Sequence, residues 1–167
     1  IGLAAEAARP THQAPVSLDA CRYFAALVVG ALQGVPKDEL LAPGFTPVPG
    51  LWKRKPLKPE VARIAAGDWR EPEAEAGGRA AGSAVGALRL VLATLAAGNA
   101  YRDTVLAAVN LGLDADANGA LVGQLAGVLY GADALPPQWV ASLAEGSRLA
   151  GIADRLLTGA LGRLAAI

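Results

Sequence analysis

The sequence NLGLDADANGALVGQLAGVLYG, residues 110–131, decides the fold that this chain is expected to adopt. It places two aspartates two residues apart, Asp114 and Asp116, between a glycine-bearing turn and an apolar helical segment. Carboxylates at positions i and i+2 of a loop can both point at one hard cation, which takes several oxygen ligands at short range. The helix that follows would present its positive dipole end to an anion beside that cation. The stretch therefore predicts a metal site next to a helix N-terminus.

Four glycines recur at every fourth position of this predicted helix: Gly119, Gly123, Gly127 and Gly131. Residues four apart lie on the same face of an α-helix. Because this face carries no side chains, a neighbouring helix can approach it closely. We expect this glycine stripe to hold the aspartate loop in place through close helix packing.

Two other interpretations of the segment DADANG, residues 114–119, are open on spacing alone. It matches the opening of a calcium-binding loop, D-x-[DN]-x-[DN]-G, but the twelfth position of that loop is Leu125 where an acidic ligand is needed. Alternatively, Asp116 or Asn118 caps the helix and Asp114 is a solvated loop residue. The spacing does not separate the metal interpretation from the capping interpretation.

The composition predicts one all-α domain over residues 1–167. A chain of 167 residues is long enough for one domain with a sizeable core. Hydrophobic residues make up 53% of it but aromatic residues only 5%, so the core must be built from Ala, Leu and Val. Ala and Leu favour helix over strand.

The charge balance and the single cysteine narrow the functional classes. Fifteen basic residues balance fifteen acidic ones, so we expect no partner among nucleic acids or membrane surfaces. The sequence contains no run of about 18 uncharged apolar residues, so we expect no transmembrane helix. Residues 1–9 do not resemble a signal peptide. Cys21 cannot form an intrachain disulfide, which fits a reducing compartment and predicts a cytoplasmic protein. Because the chain begins with Ile, we expect a piece of a longer protein or a processed form.

Apolar periodicity and turn residues predict a series of helices. They comprise a helix within residues 1–9, a helix capped by Ser17 and ended by Gly34 and Pro36, a turn at residues 37–41, short helices at residues 60–66 and 138–143, a helix from Ser83 to Gly98, a helix over residues 101–109, the helix after Asp116, and a final helix capped by Ser147. Five prolines in residues 43–59 exclude a regular helix and predict a functional loop.

Two further groups have a functional and a plainer interpretation. Trp52 and the basic residues 53–55 could bind phosphate or nucleic acid through charge and stacking. One isolated cluster in a chain of zero net charge is more typical of a solvated loop. His12, the only histidine, is more often structural in such a setting, and Cys21 on an apolar helix face indicates a buried thiol.

Several separate blocks resemble the ADP-ribosylglycohydrolase family. AVNLGLDADANGALVGQLAGVLYG, followed by LPPQW, is similar to the family's C-terminal metal motif: an Asn-Leu-Gly turn, an aspartate pair, a small-residue helix, a Tyr-Gly stop and a proline-tryptophan segment. ARPTHQAPVSLDACRYFAALVVGALQGV resembles the family's threonine-histidine loop and following helix. FTPVPGLW resembles a loop of bacterial members, and ADRLL resembles the last helix. The resemblance covers most of the chain and implies the C-terminal part of an all-α fold.

The resemblance also implies an activity and a set of site residues. The family binds two magnesium ions that hold ADP-ribose, and it hydrolyses the bond between ADP-ribose and its acceptor. Asp114 and Asp116 are then the expected magnesium ligands. ADP-ribose or an ADP-ribosylated substrate is the expected partner, and no catalytic residue is identified. The expected substrate contacts are His12, Gly82, Ser83, Gly112 and Asn118.

Three positions depart from the family's pattern. Ala117 stands where the family has a threonine ligand, Leu113 where Gly or Asp is common, and Ser83 where an aromatic packs on the nucleotide. The family's N-terminal metal motifs, a Gly-Asp-Ala segment and a threonine with paired aspartates, do not occur in these 167 residues. One hypothesis is a hydrolase that is not competent alone and whose site is completed by an N-terminal half or a partner chain. The other is a degenerate, non-catalytic member that binds ADP-ribose or acts as a scaffold or regulatory subunit.

Overall fold

The computed structural model describes residues 1–70, 82–112 and 114–164, with side chains as far as residue 162. These residues form ten α-helices and no strand, which confirms the predicted all-α class. The chain separates into two compact units, Ile1–Ala134 and Leu135–Ile167. The single domain expected over residues 1–167 stays a prediction.

Within the part of the chain that the structure describes, the first unit contains eight α-helices and the second contains two. Those of the first unit are α1 (Gly2–Ala8), α2 (Pro15–Leu32), α3 (Lys37–Leu40), α4 (Leu51–Arg54), α5 (Pro59–Ala65), α6 (Ala84–Ala97), α7 (Tyr101–Asn110) and α8 (Ala115–Tyr130). Those of the second unit are α9 (Pro137–Ser142) and α10 (Gly146–Leu164). Two short 3-10 turns lie at Asp68–Arg70 and Ala132–Ala134.

The core of the first unit lies among α2, α6 and α8, each of which contacts the other two. α5, the loop after α3 and the turn at Asp68–Arg70 close it. Leucine, valine and alanine supply most of the buried side chains, as the composition predicts. The fully buried ones include Leu27, Leu40, Val61, Ile64, Val91, Leu92, Leu95, Val122 and Leu125, with Tyr23 as the largest.

The start of α2 differs from the prediction. The helix begins at Pro15 with Ala14 at the N-cap position, so Ser17 lies inside the first turn and is not the cap. Proline is favoured at the first helical position because its fixed φ is helical and its missing N–H is not needed there. The end of the helix follows the prediction, since Gly34 adopts φ +80° directly after Gln33.

The proline-rich segment at residues 43–59 is ordered, and it contains one helical turn that the proline count did not predict. α4 begins after Gly50, whose φ is +69°. The indole N–H of Trp52 donates to the carbonyl of Phe45 at 2.9 Å. Phe45 is buried against Gly30, where an added Cβ would collide with its ring. Packing against α2 therefore orders this segment.

In the second unit, α10 begins two residues earlier than expected, at Gly146, so Ser147 lies inside the helix and does not cap it. From Val140 to Leu161 the large aliphatic side chains are exposed, whereas Trp139 of α9 is half-buried. The exposed ones are Val140, Leu143, Leu149, Ile152, Leu156, Leu157 and Leu161.

By length and composition α2 could cross a membrane, and within the described ranges no other helix could. However, 44% of its residues are buried inside the protein, and core helices of soluble proteins have the same length and composition. α2 also carries the ion pair between Asp19 and Arg22. This is weak evidence for a span, and the absence of a membrane partner stays a prediction.

Candidate functional site

The two aspartates lie at the beginning of α8. Asp114 occupies the N-cap position, with φ −80° and ψ 61°, and Asp116 lies in the first turn. The carbonyl of Asp114 accepts from the N–H of Asn118 at 2.9 Å, but its side chain forms no capping hydrogen bond. Both residues are exposed, and neither pairs with a basic side chain among the described residues. Both carboxylates can therefore meet a cation from solvent.

The position of α8 excludes two of the open interpretations of this segment, and the metal interpretation stays a prediction. Its helix runs from Ala115 through Leu125, where a calcium-binding loop would be irregular, so the calcium-loop interpretation is wrong. Capping by Asp116 or Asn118 is wrong too, because both lie inside the helix. Asn118 is also buried, with 5% of its surface exposed.

The turn before α6 lies beside Asp114. Gly82 adopts φ +79°, and a Cβ added to it would lie 3.3 Å from Oδ2 of Asp114. α6 starts where the sequence predicts, with Ser83 as its N-cap, and the hydroxyl oxygen of Ser83 accepts from the N–H of Gly86 at 3.0 Å. The structure thus brings Gly82, 32 positions earlier in the chain, against the first aspartate of the motif.

The glycine stripe of α8 packs against α7. A Cβ on Gly119 would lie 2.7 Å from Val109, and one on Gly123 would lie 3.4 Å from the Tyr101 hydroxyl. A Cβ on Gly127 would lie 3.8 Å from the Tyr101 ring. This confirms the predicted close packing. The fourth glycine of the stripe, at position 131, instead ends the helix with φ +82°.

The turn between α7 and α8 contains Gly112 with φ +72°, which a side chain would strain. Leu113, one of the departures from the family pattern, lies outside the described residues. Ala117 is exposed and helical, so this position adjoins the aspartates but offers no side-chain oxygen.

His12 lies in the turn between α1 and α2 and is exposed. Its Nδ1 is 3.0 Å from the hydroxyl of Thr11, and its backbone N–H donates to Ala8 at 2.8 Å. These contacts are local to the turn. No described hydrogen bond joins His12 to the Asp114 turn, so its substrate role stays a prediction.

The donor set fits part of a magnesium site. Magnesium is held in many sites by one or two carboxylates together with waters and substrate phosphates, and Asp114 and Asp116 match that share. Within the described ranges no group of three or more His, Cys, Asp or Glu side chains gathers at one point. A complete site therefore needs oxygen ligands from elsewhere.

A second polar cluster was not recognised from the sequence. Asp19, on α2, is buried and accepts from Arg22 at 2.6 Å and from the backbone N–H of Lys58 at 2.7 Å. The guanidinium of Arg22 lies 5.6 Å from the ring centre of Trp52, which also contacts Tyr23. The basic side chains of residues 53–55 are exposed, whereas Trp52 is half-buried, so the interpretation as a solvated loop does not fit Trp52. An aspartate and an arginine three apart on an apolar helix were the available signal.

Two side chains of α2 have raised pKa values because they are wholly or partly removed from solvent. Cys21 is half-buried and not fully buried as expected; its partial burial raises the pKa of the thiol, which does not favour an activated nucleophile. Burial also raises the pKa of Tyr23 to about 12, and the nearby charge of Arg70 opposes this shift.

Comparisons with known proteins agree on one family. The family model described as ADP-ribosylglycohydrolase matches residues 1–164. The ADP-ribosylarginine hydrolase Tri1 of Pseudomonas putida (strain GB-1) is 34% identical over 146 residues, and the protein of the same name from Serratia proteamaculans (strain 568) is 28% identical over 146 residues. A solved structure titled "ADP-ribosylglycohydrolase-related protein complex" matches with a TM-score of 0.73 and 37% identity.

Each of these matches covers 87% of this chain. The same alignments cover 37% of each curated relative and 48% of the solved chain. The chain therefore spans less than half the length of the proteins that it resembles.

Proposed function

The chain belongs to the ADP-ribosylglycohydrolase family, and we propose that it supplies the C-terminal part of an ADP-ribosyl hydrolase site. One observation carries the proposal: two exposed aspartates occupy the N-cap and the first turn of α8, Asp114 and Asp116, and Asp114 lies beside the Gly82 turn. Since the chain spans 37% of its curated relatives, the remaining metal ligands would come from an N-terminal half or a partner chain.

Asp114 and Asp116 would hold magnesium in this site. Bound magnesium would neutralise the pyrophosphate of ADP-ribose and orient it for hydrolysis. The N-terminus of α8 adds a positive dipole end next to the aspartates, which favours the same anion. Gly82 keeps the space beside Oδ2 of Asp114 clear of a side chain, so a ligand can approach closely. His12, Ser83, Gly112 and Asn118 would contact or support the substrate around this point.

The acceptor in the proposed reaction is an arginine side chain. The support is the 34% identity to a curated relative named as an ADP-ribosylarginine hydrolase. The bond cleaved would then join the ribose to a guanidinium nitrogen. A cytoplasmic location belongs to the same proposal, supported by the single, half-buried cysteine.

Calorimetry with ADP-ribose tests the metal role. We expect the chain to bind ADP-ribose more tightly with magnesium than with EDTA, and D114N and D116N to remove that difference. Asp103→Asn is the matched control, because Asp103 is also an exposed aspartate in the first turn of a helix, α7. Magnesium-dependent binding that survives in both D114N and D116N would refute the proposed ligands.

A non-catalytic role is the second candidate, and Ala117 favours it. The exposed methyl group of Ala117 stands beside Asp116, where the family has a threonine ligand. Ala117→Thr separates a magnesium-dependent binding site from a pure scaffold. In a degraded or incomplete metal site, the added hydroxyl should strengthen magnesium-dependent binding of ADP-ribose. A pure scaffold should show no such binding in the wild type or in Ala117→Thr.

A further inference from the structure

A second concave site lies in the first unit, and its lining includes neither the aspartates nor the Gly82 turn. The cavity has a volume of about 580 Å³, which is within the range of small-molecule sites. Its walls come from α1, from the turn before α2 and the first two turns of α2, and from α4 and the segment that follows it. Five of the lining side chains are basic: Arg9, Arg22, Arg54, Lys55 and Lys58.

The acidic residues of the lining do not balance this charge. Asp19 is occupied by Arg22 at 2.6 Å and by a backbone N–H at 2.7 Å. Glu6 forms an exposed pair with Arg9 at 2.9 Å. The other three basic side chains of the lining are exposed and form no ion pair with a described carboxylate. They are Arg54, Lys55 and Lys58.

Contacts with α2 hold this basic wall in place. Arg22 donates to the carbonyl of Lys55 at 2.8 Å, and Asp19 accepts from the N–H of Lys58. Trp52, in α4 just before the basic residues, is held by its hydrogen bond to the carbonyl of Phe45. Because the backbone that carries the cations is already ordered, a ligand would bind them with a smaller entropic cost.

The basic side chains of the cavity that pair with no described carboxylate favour a ligand that carries a phosphate group. Guanidinium and ammonium groups that lack a carboxylate partner bind phosphate oxygens through charge-assisted hydrogen bonds. The ring of Trp52 is occupied by Arg22 and by Tyr23, whose ring centre is 6.0 Å away, so the cavity lacks the open aromatic platform that nucleic-acid bases use. We propose that this cavity binds a small phosphate-bearing molecule through Arg54, Lys55 and Lys58, at a site separate from Asp114 and Asp116.

Titration of the 167-residue chain with inorganic tripolyphosphate tests this site. EDTA in the buffer removes any contribution from metal at the aspartates. We expect a dissociation constant on the order of 0.1–1 mM that weakens with added salt. Arg54→Ala and Lys58→Ala should each weaken binding about tenfold, the effect of one charge-assisted hydrogen bond. Lys58→Ala keeps the backbone N–H that binds Asp19, so circular dichroism should show an unchanged fold.

Lys53→Ala is the matched control, because Lys53 is an exposed cation of α4 that does not line the cavity. An equal loss in Lys53→Ala would indicate general attraction to the loop and overturn the site. Loss of binding in Asp114→Asn would assign the tripolyphosphate to the aspartates and overturn it as well. Tighter binding of a single-stranded oligonucleotide or an acidic peptide, lost in Arg54→Ala, would replace the small ligand with a macromolecule.

Discussion

At the scale of single residues, Gly82 links the two segments of the proposed magnesium site. It adopts φ +79°, where a Cβ costs on the order of 1–2 kcal/mol, and that Cβ would stand 3.3 Å from Oδ2 of Asp114. We therefore expect Gly82→Ala to lower the free energy of unfolding by about 1–2 kcal/mol and also to weaken magnesium-dependent binding of ADP-ribose. Denaturant titration and calorimetry measure the two effects.

Gly112→Ala is the control that separates the effect of backbone strain from the effect of proximity to Asp114. Gly112 has a similar φ of +72°, but among the described residues no atom beyond its chain neighbours lies within 4 Å of its added Cβ. It should lose similar stability while changing ADP-ribose binding less. If the two variants weaken binding equally, the proximity of Gly82 to Asp114 does not matter for the site.

Tyr23 predicts a stability loss at alkaline pH. Burial raises its pKa from 10.0 to about 12 in the folded chain, against the opposing charge of Arg70. Between these values the unfolded chain loses the phenolic proton and the folded chain keeps it. The contribution of Tyr23 to the free energy of unfolding is therefore fully present below about pH 10. It falls as the pH rises towards 12, and the loss is about 1.4 kcal/mol at pH 11.

Tyr23→Phe isolates this contribution, because it removes the phenol and leaves other tyrosines and lysines in place. Urea denaturation at about pH 9 and pH 11 should show a smaller decline for Tyr23→Phe than for the wild type. Parallel declines would mean that Tyr23 does not titrate differently in the folded and unfolded chains.

Some residue roles follow from sequence pattern and others do not. One residue separates Asp114 from Asp116, so their spacing in the sequence is enough to place both of them at the start of the same helix. The contact of Gly82 with Asp114 and the bond from Lys58 to Asp19 join residues 32 and 39 positions apart. Such contacts depend on how helices pack, which periodicity does not specify.

At the scale of helices, alanine substitutions along the glycine stripe of α8 should change stability by amounts that depend on how closely α7 packs at each glycine. A Cβ on Gly119 would lie 2.7 Å from Val109, whose branched side chain has little freedom to move away. We expect Gly119→Ala to destabilise the chain by about 1–2 kcal/mol despite the better helix propensity of alanine. Thermal and urea denaturation would measure this change.

Gly127→Ala is the matched control on the same face of α8. Its added Cβ would lie 3.8 Å from Tyr101, an ordinary contact distance. The helix-propensity gain should therefore prevail and stabilise the chain by about 0.5–1 kcal/mol. A gain of the same size in Gly119→Ala would show that α7 and α8 are not packed as closely as the structure has them.

Helix existence was predicted better than helix starts. Long apolar periodic segments predicted α2, α6 and α8, because burying one face of a helix leaves a repeating pattern in the sequence. Ser17 and Ser147 were wrong as caps since both helices begin earlier, at Pro15 and Gly146. A serine near a helix start is compatible with several registers, and the local packing chooses among them.

At the scale of the whole molecule, the fully buried side chains of the described residues lie in the first unit, whereas the large aliphatic side chains from Val140 to Leu161 in the second unit are exposed. The all-α class followed from composition, since a chain rich in Ala and Leu with few aromatics favours helices. The division into two units did not, because it depends on which helix faces meet.

This distribution of burial predicts very different costs for two equal truncations. Leu92 of α6 is 1% exposed, and Leu92→Ala should lower the free energy of unfolding by about 2–5 kcal/mol through lost burial and a residual cavity. Leu156 of α10 is 71% exposed, and Leu156→Ala should change it by less than about 0.5 kcal/mol. Both remove the same atoms from a helix, so propensity cancels in the comparison. If urea denaturation showed Leu156→Ala to be as costly as Leu92→Ala, the apolar side of α10 would have to be covered in solution.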